Sequence, residues 1–372
     1  MFYYLPYTHS GYVYPTFAPP LAGGGPDKRV ASWGEWDRHF GAYFDGSAFK
    51  NTRRGAIPVQ RFFLPISLNW PAEFLKFGRP GYVDEFKAVC GQMAEHFKAR
   101  GWFNTDFDMF LNHKQRFKLY PWDCEEVRFL EDNDVHRCFR TLWAGTLDHA
   151  TTRPVRFNYS NGCTWTFGLD IHSDMSQFTD FWIGGSTGPA WYPERVAELK
   201  GRGVEFCSCT GGGQLSNSLR AVCWWPLKFW MTNLDSFMLW LSLGWGEDPW
   251  FAPPDDAGTL LMYPGDRFGL DAALASMRLK AMRNTLQTVE RLALAAGKVA
   301  GGASAVRQRV NEVMGCTGAD WFAPKPDYVD KKLPKEWTRA DFATEEPPAV
   351  GWQDKTSEQF KNLSAVAAGM IT

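Results

Sequence analysis

Residues 107–128 read FDMFLNHKQRFKLYPWDCEEVR. The apolar run Phe107–Leu111 has the length and composition of a short strand, and Asn112-His113-Lys114 stands at its end. A second short strand over 119–122 then delivers three carboxylates, Asp123, Glu125 and Glu126, to the point where a helix over 126–142 begins. In a (β/α) fold the side chains that do chemistry collect at the C-terminal ends of the strands. Carboxylates crowded there raise one another's pKa, so that one can give a proton while its neighbour stays charged. Acidic residues just ahead of a helix also cap its N-terminus and favour its dipole. The sequence leaves both readings open.

Outward from this stretch the chain alternates between strand and helix patterns. Residues 59–68, VQRFFLPISL, form a buried-strand candidate that runs into Asn69-Trp70-Pro71, where a loop would start. From Tyr82 to Arg100 the apolar positions Val83, Phe86, Val89, Cys90, Met93 and Phe97 recur at helical spacing, and Gly101 ends the run. Further strand candidates lie at 155–159, 167–171, 179–183, 204–209 and 237–243, with a helix over 193–200 stopped by Gly201 and Gly203. Residues 258–269, GTLLMYPGDRFG, predict one last strand and a turn. Residues 271–296 carry the strongest helical stripe, from Leu274 and Met277 through Met282 and Leu286 to Leu292, and 303–314 complete a helical pair. The Gly-, Pro- and aromatic-rich residues 1–55 show little periodicity and predict long ordered loops. From Cys316 onward Lys, Pro, Asp and Glu dominate, which predicts an extended tail. Strands alternating with helices over this length predict an α/β architecture with parallel strands, for which closure into a barrel is the simplest version.

Composition narrows the functional classes. With 40 basic and 41 acidic residues among 372, the formal charge of −1 offers no general attraction to nucleic acid or to an anionic membrane. The 18 Trp, 12 Tyr and 29 Phe are unusually many, and a good number stand beside Asp, Asn, Gly or Pro. Aromatic rings with polar neighbours suit a ligand that has both C–H faces and hydroxyls, as a sugar does, although most Trp simply fill cores. The eight Cys are scattered without a CxxC pair and read as buried or free thiols. Asp170, His172 and Asp174 alternate on one predicted strand face; a solvated face explains them better than a metal site, whose ligands must converge. No run of about 18 apolar residues occurs, and the start lacks the features of a signal peptide. The expectation is a soluble, cytoplasmic chain, or an extracytoplasmic one if a further segment precedes it.

The serial order of several short motifs resembles the catalytic domain of glycoside hydrolase family 123 and its uncharacterised relatives. They begin with Trp36-Asp37, Asp45-Gly46-Ser47-Ala48-Phe49, Phe63-Leu64-Pro65, Asn69-Trp70-Pro71, Gly101-Trp102 and Phe110-Leu111-Asn112-His113-Lys114. After the carboxylate cluster come Arg220 with Trp224-Trp225-Pro226-Leu227-Lys228, Met238-Leu239-Trp240 with Trp245, Met262-Tyr263-Pro264-Gly265, and Ser276-Met277-Arg278-Leu279-Lys280 with Arg283. The likeness covers about residues 30–297. It implies a (β/α)8 TIM-type barrel over 1–315 with long N-terminal loops, whose first strand is lacking or altered, followed by an extended tail over 316–372. It further implies a retaining hydrolase, without cofactor, that removes a terminal sugar such as N-acetylgalactosamine from a glycan. In that family the substrate's own acetamido oxygen is the nucleophile, an Asp orients it, and the adjacent Glu protonates the leaving oxygen.

The matching pair here is Glu125-Glu126, so the first position carries one methylene more than the family's Asp, which displaces its carboxylate by about 1 Å. Val127 stands where a Pro usually follows. The resemblance assigns Glu126 as general acid/base and Glu125 as the orienting group. Asp123 is a substitute for Glu125: in an extended strand these two share a face and Glu126 points away unless the strand has already ended. Asn112, His113, Trp70, Trp240, Trp245 and Tyr263 are the expected substrate contacts. Trp240 and Trp245 read more readily as core, and His113 equally as the partner of a backbone carbonyl. A glycosidase with a conventional carboxylate pair on another sugar, and a non-catalytic carbohydrate-binding barrel, are the alternatives. The oligomeric state is not legible.

Overall fold

The computed structural model describes residues 2–3, 18–66, 70–72, 80–111, 140–141, 155–162, 179–184, 187–210, 218–239, 250, 261–321 and 354–372. The chain divides into two compact units, the first drawn mainly from Met1–Ile183 and the second mainly from Glu205–Lys332 and Trp337–Thr372. Both are α/β with parallel strands.

In the first unit β1 (Phe2–Tyr3) is followed by a two-stranded antiparallel ribbon, β2 (Leu21–Ala22) and β3 (Arg29–Val30), and by helix α1 (Gly34–Phe44). Then come β4 (Arg61–Phe63), α2 (Tyr82–Ala99), β5 (Asp106–Leu111), β6 (Arg156–Gly162) and β7 (Phe181–Gly184). The sheet order β1-β4-β5-β6-β7 follows the chain, and each pairing whose register is defined is parallel. Parallel neighbours need a long crossover, which α2 supplies between β4 and β5. Short β1 pairs through Phe2↔Arg61 and Tyr3↔Phe62, which corrects the expectation of a sheet without its first strand.

Strand alternation sorts the residues of this sheet. Arg61, Asp106 and Arg156 are level with one another, and so are Phe62, Phe107 and Phe157 one position on, facing the opposite way. The phenylalanine face meets the helices. Phe44 of α1 lies 4.8 Å from Phe62 and 5.1 Å from Phe107, Phe97 of α2 lies 4.4 Å from Phe107, and Trp36 packs edge-on to Phe62. Each such ring contributes about 1.5–3 kcal/mol by leaving water. Much of the aromatic wealth of the N-terminal half is therefore core.

Helix α1 corrects the expectation of loops throughout residues 1–55. Trp36, Phe40 and Phe44 recur every four residues on its inner face, a helical period hidden among glycines. Its end is fixed by Gly46, at φ 83°, where a Cβ would lie 2.5 Å from the Ala56 carbonyl oxygen. Helix α2 holds its predicted span with Phe86, Val89, Cys90, Met93 and Phe97 buried, while Val83 is exposed.

The sheet is curled. In a flat sheet β4 and β7, separated by two strands, would stand about 14 Å apart. β7 also enters late, with Phe181 level with Ser160. The Arg61 guanidinium nevertheless lies over the Phe181 ring, 4.0 Å from its centroid. Side chains from non-adjacent strands therefore meet on one face of the sheet. Among the described residues no pairing closes the strands into a barrel.

After β7 come α3 (Thr187–Trp191) and α4 (Pro193–Gly201), the latter on its predicted span. The second unit contains β8 (Glu205–Thr210), α5 (Leu219–Met231) and β9 (Ser236–Leu239), with β8 and β9 parallel in the register Cys207↔Ser236. The predicted last strand is shorter and differently placed: β10 (Met262–Tyr263) pairs antiparallel with β11 (Leu274–Ala275) as a separate ribbon. Leu274 thus belongs to a strand, and helix α6 (Met277–Ala296) starts where the Ser276 side chain accepts from the Leu279 N–H. Helices α7 (Gly302–Met314), α8 (Gly318–Trp321) and α9 (Ser357–Gly369) follow.

Helix α9 corrects the extended tail. Thr356 and Gln359 form a capping box, and Leu363 and Ala367 are buried with Leu292, Ala295, Val306, Val310 and Met314. Around them Trp224 stacks on Trp321 at 4.1 Å, and Trp321 Nε1 donates to Asn311 Oδ1 at 2.7 Å. Lys355 Nζ and Gln359 Nε2 donate to the Gly315 and Met314 carbonyls at the end of α7. Among the described residues no helix is long and apolar enough to cross a membrane.

Cys90, Cys207 and Cys316 are buried free thiols and Cys223 is half-buried. Burial pushes the Cys316 thiol up to about 11 and raises Cys90 further. Iodoacetamide at pH 8 is therefore expected to leave Cys90 and Cys316 unmodified in the folded chain and to label both in urea, read by peptide mass spectrometry. The same shift has a sign for stability. The folded thiols favour the protonated form, so their contribution is complete below the unfolded thiol range and is lost as pH rises through the folded values.

Candidate functional site

In an open or closed parallel sheet, ligands bind beyond the carboxyl ends of the strands, because the connections that diverge there build a crevice on a rigid base. Strand β5 ends at Leu111, so Asn112 and His113 are the next residues of the chain, and the connection from β5 to β6 carries Asp123, Glu125 and Glu126. In the same way Trp240 and Trp245 follow the end of β9 at Leu239. These seven residues lie outside the described ones, as do Asp170, His172 and Asp174. What the fold supplies is a parallel strand, β5, that precedes these carboxylates in the chain.

Two expected substrate contacts are described. Trp70 is 8% exposed and its Nε1 donates to the Pro19 carbonyl at 3.1 Å, so the indole joins the N-terminal segment to the loop after β4. Tyr263 is half-buried on β10, with its ring 4.5 Å from that of Trp250. Trp250 in turn meets Phe268 edge-on at 5.4 Å, and Phe268 is exposed. The sequence reading passed over Trp250 and Phe268; the signal for Phe268 was an aromatic residue inside a Gly-bounded turn.

The concave face of the first unit carries charge that the sequence reading also passed over. Arg61 and Asp108 are buried, with Arg61 Nη1 donating to Asp108 Oδ1 at 3.0 Å. Asp106 lies 4.0 Å from Arg61 Nη2 and takes Arg156 Nε at 2.5 Å. The visible signal was charge at alternate positions within strand patterns, in QRFF, TDFD and VRFN. This network begins at the first residues of β4, β5 and β6, the amino ends of the strands, where such pairs fix the wall rather than meet a ligand. A second pair sits among the helices: His96 Nε2 and Asp37 Oδ1 are 2.8 Å apart, and the imidazole stacks on Trp33 at 4.1 Å, which lashes α1 to α2. Arg220 donates through Nη1 to the Lys355 carbonyl ahead of α9. Among the described residues no group of three or more His, Cys, Asp or Glu could hold a metal ion.

Comparison with solved structures finds a family 123 glycoside hydrolase from Clostridium perfringens, whose structural analysis concerns glycolipid glycan hydrolysis. The superposition has a TM-score of 0.42 and 13% identity, over 79% of this chain and 44% of that one. The chain thus spans less than half the length of that enzyme. It is the family that the sequence motifs resemble. No family model matches the chain. No curated protein matches it either.

Proposed function

We propose that the protein is a glycoside hydrolase whose site forms at the carboxyl ends of its parallel strands. The observation that supports this reading is the parallel sheet in chain order: β5 ends at Leu111, and in the sequence Asp123, Glu125 and Glu126 follow it before β6 begins at Arg156. The curl that brings Arg61 onto Phe181 supports a (β/α)8-type barrel as the full architecture.

In this reading Glu126 protonates the departing glycosidic oxygen and later deprotonates water. Glu125, or Asp123 in its place, orients a substrate acetamido group, whose oxygen attacks the anomeric carbon. A substrate-borne nucleophile removes the need for a second carboxylate about 5 Å away. Asn112, His113, Trp70, Trp240, Trp245 and Tyr263 are the proposed contacts to a terminal N-acetylhexosamine, with N-acetylgalactosamine the first choice. No cofactor enters the reaction.

The test is hydrolysis of a panel of aryl glycosides that includes the β-N-acetylgalactosaminide and β-N-acetylglucosaminide. Aglycone release from acetamido sugars alone is the expected result. Release from sugars without that group would replace substrate assistance by a conventional carboxylate pair. Silence across the panel, with glycan binding retained, would make the protein a carbohydrate-binding barrel.

A further inference from the structure

Three rings meet where the β10–β11 ribbon turns. Trp250 and Tyr263 are half-buried and lie against one another, while Phe268, in edge contact with Trp250, is 63% exposed. A single exposed phenylalanine is common on protein surfaces. This one is held in place. Its turn is closed by the Phe268 N–H donating to the Gly265 carbonyl at 2.9 Å and the Leu270 N–H donating to the same oxygen at 3.1 Å. The chain is packed so closely there that a Cβ on Gly265 would lie 2.1 Å from the Ala272 carbonyl oxygen. A ring fixed by a tight turn and backed by an indole has little freedom left to lose when a ligand covers it.

The ribbon is also anchored, through an apolar cluster just ahead of it. Leu261, just ahead of β10, is buried with Val222 and Met282, with Phe237 of β9 and Leu279 packed around them. Val222 lies in the first turn of α5, the helix entered from the carboxyl end of β8, and Leu279 and Met282 lie near the start of α6. The ribbon is therefore anchored against the start of α5, the helix that follows β8, and against β9 and α6. Asp266 and Arg267 stand exposed beside Phe268. An outward aromatic face flanked by charged hydrogen-bonding groups suits a pyranose, whose C–H face covers the ring while its hydroxyls reach the polar rim.

We infer that Phe268, backed by Trp250 and Tyr263, is a stacking platform for a pyranose ring of the bound glycan. The inference rests on the glycoside hydrolase reading for the class of ligand and on the ribbon geometry for the site. The full chain, its Phe268→Ala variant and its Phe268→Tyr variant would be titrated with N-acetylgalactosamine, N-acetylglucosamine, galactose and an oligosaccharide ending in N-acetylgalactosamine. Calorimetry gives the affinity. Phe268→Ala is expected to bind about tenfold more weakly, Phe268→Tyr to keep wild-type affinity, and both to keep the wild-type unfolding midpoint. Equal affinity in wild type and Phe268→Ala, or no binding of any probe by wild type, would overturn the platform. The two readings separate cleanly. Unchanged affinity and KM in Phe268→Ala beside intact hydrolysis discards the platform and keeps the enzyme. Binding that depends on Phe268 in a chain that hydrolyses no glycoside keeps the platform and discards the enzyme.

Discussion

Glu126→Gln is expected to lower turnover of an acetamido glycoside with a poor leaving group by about 10²–10⁴, with KM changed little. Glutamine keeps the shape of the side chain but cannot donate the proton that the departing oxygen needs. An aryl glycoside with a good leaving group needs that proton less, so its loss should be smaller, and the ratio of the two losses is the informative quantity. Glu125→Gln, which removes the charge that orients the acetamido group, should affect both substrates alike. If Glu126→Gln leaves turnover unaltered, the assignment of the acid falls. A matching loss in Asp123→Asn would instead identify Asp123 as the orienting group.

The second large effect concerns stability. Asp108 is fully buried against Arg61, so Asp108→Ala removes the close carboxylate of a guanidinium that stays in the sheet interior, beside the more distant Asp106 and over the Phe181 ring. Removing one partner of a buried ion pair costs about 3–5 kcal/mol, because the other is left uncompensated. Urea unfolding at neutral pH reads that loss directly. Arg61→Met added to Asp108→Ala should recover much of it, since an apolar pair of similar volume has no charge to desolvate. If Asp108→Ala costs less than about 1 kcal/mol, in the range of a solvent-screened pair, the network does not hold the wall.

Regular elements were legible where one physical signal dominated. Phe86, Val89, Met93 and Phe97 marked α2, and the apolar run from Phe107 marked β5, because each buries one continuous face. Helix α1 was missed because Gly34 and Gly41 and the surrounding Gly- and Pro-rich sequence outweighed the spacing of Trp36, Phe40 and Phe44. Helix α9 was missed because a Lys-, Pro- and Glu-rich run conceals its start, although Thr356 and Gln359 spell a capping box and Phe360, Leu363 and Ala367 keep its period. The strand at Leu274 was absorbed into a helix because its spacing fits the stripe; only the cap at Ser276 separates the two. For the site, the carboxylates lie outside the described residues, and of the expected contacts Trp70 and Tyr263 are described. Sequence could not foresee that Trp250 contacts both Tyr263 and Phe268, because those contacts follow no helical or strand spacing.

Helix α9 also sets an order of events during synthesis. Leu363 and Ala367 fill the space between α6 and α7, whose own residues are complete by Met314. While the chain is being made, those two helices leave the ribosome with Leu292, Val306 and Val310 lacking part of their cover. That cover arrives only after more than forty further residues have been added. An apolar seam open for that interval is where a chaperone would bind and where a stalled nascent chain would aggregate. A synonymous slow codon placed between Met314 and Ser357 would lengthen the exposure without altering a single contact of the finished molecule.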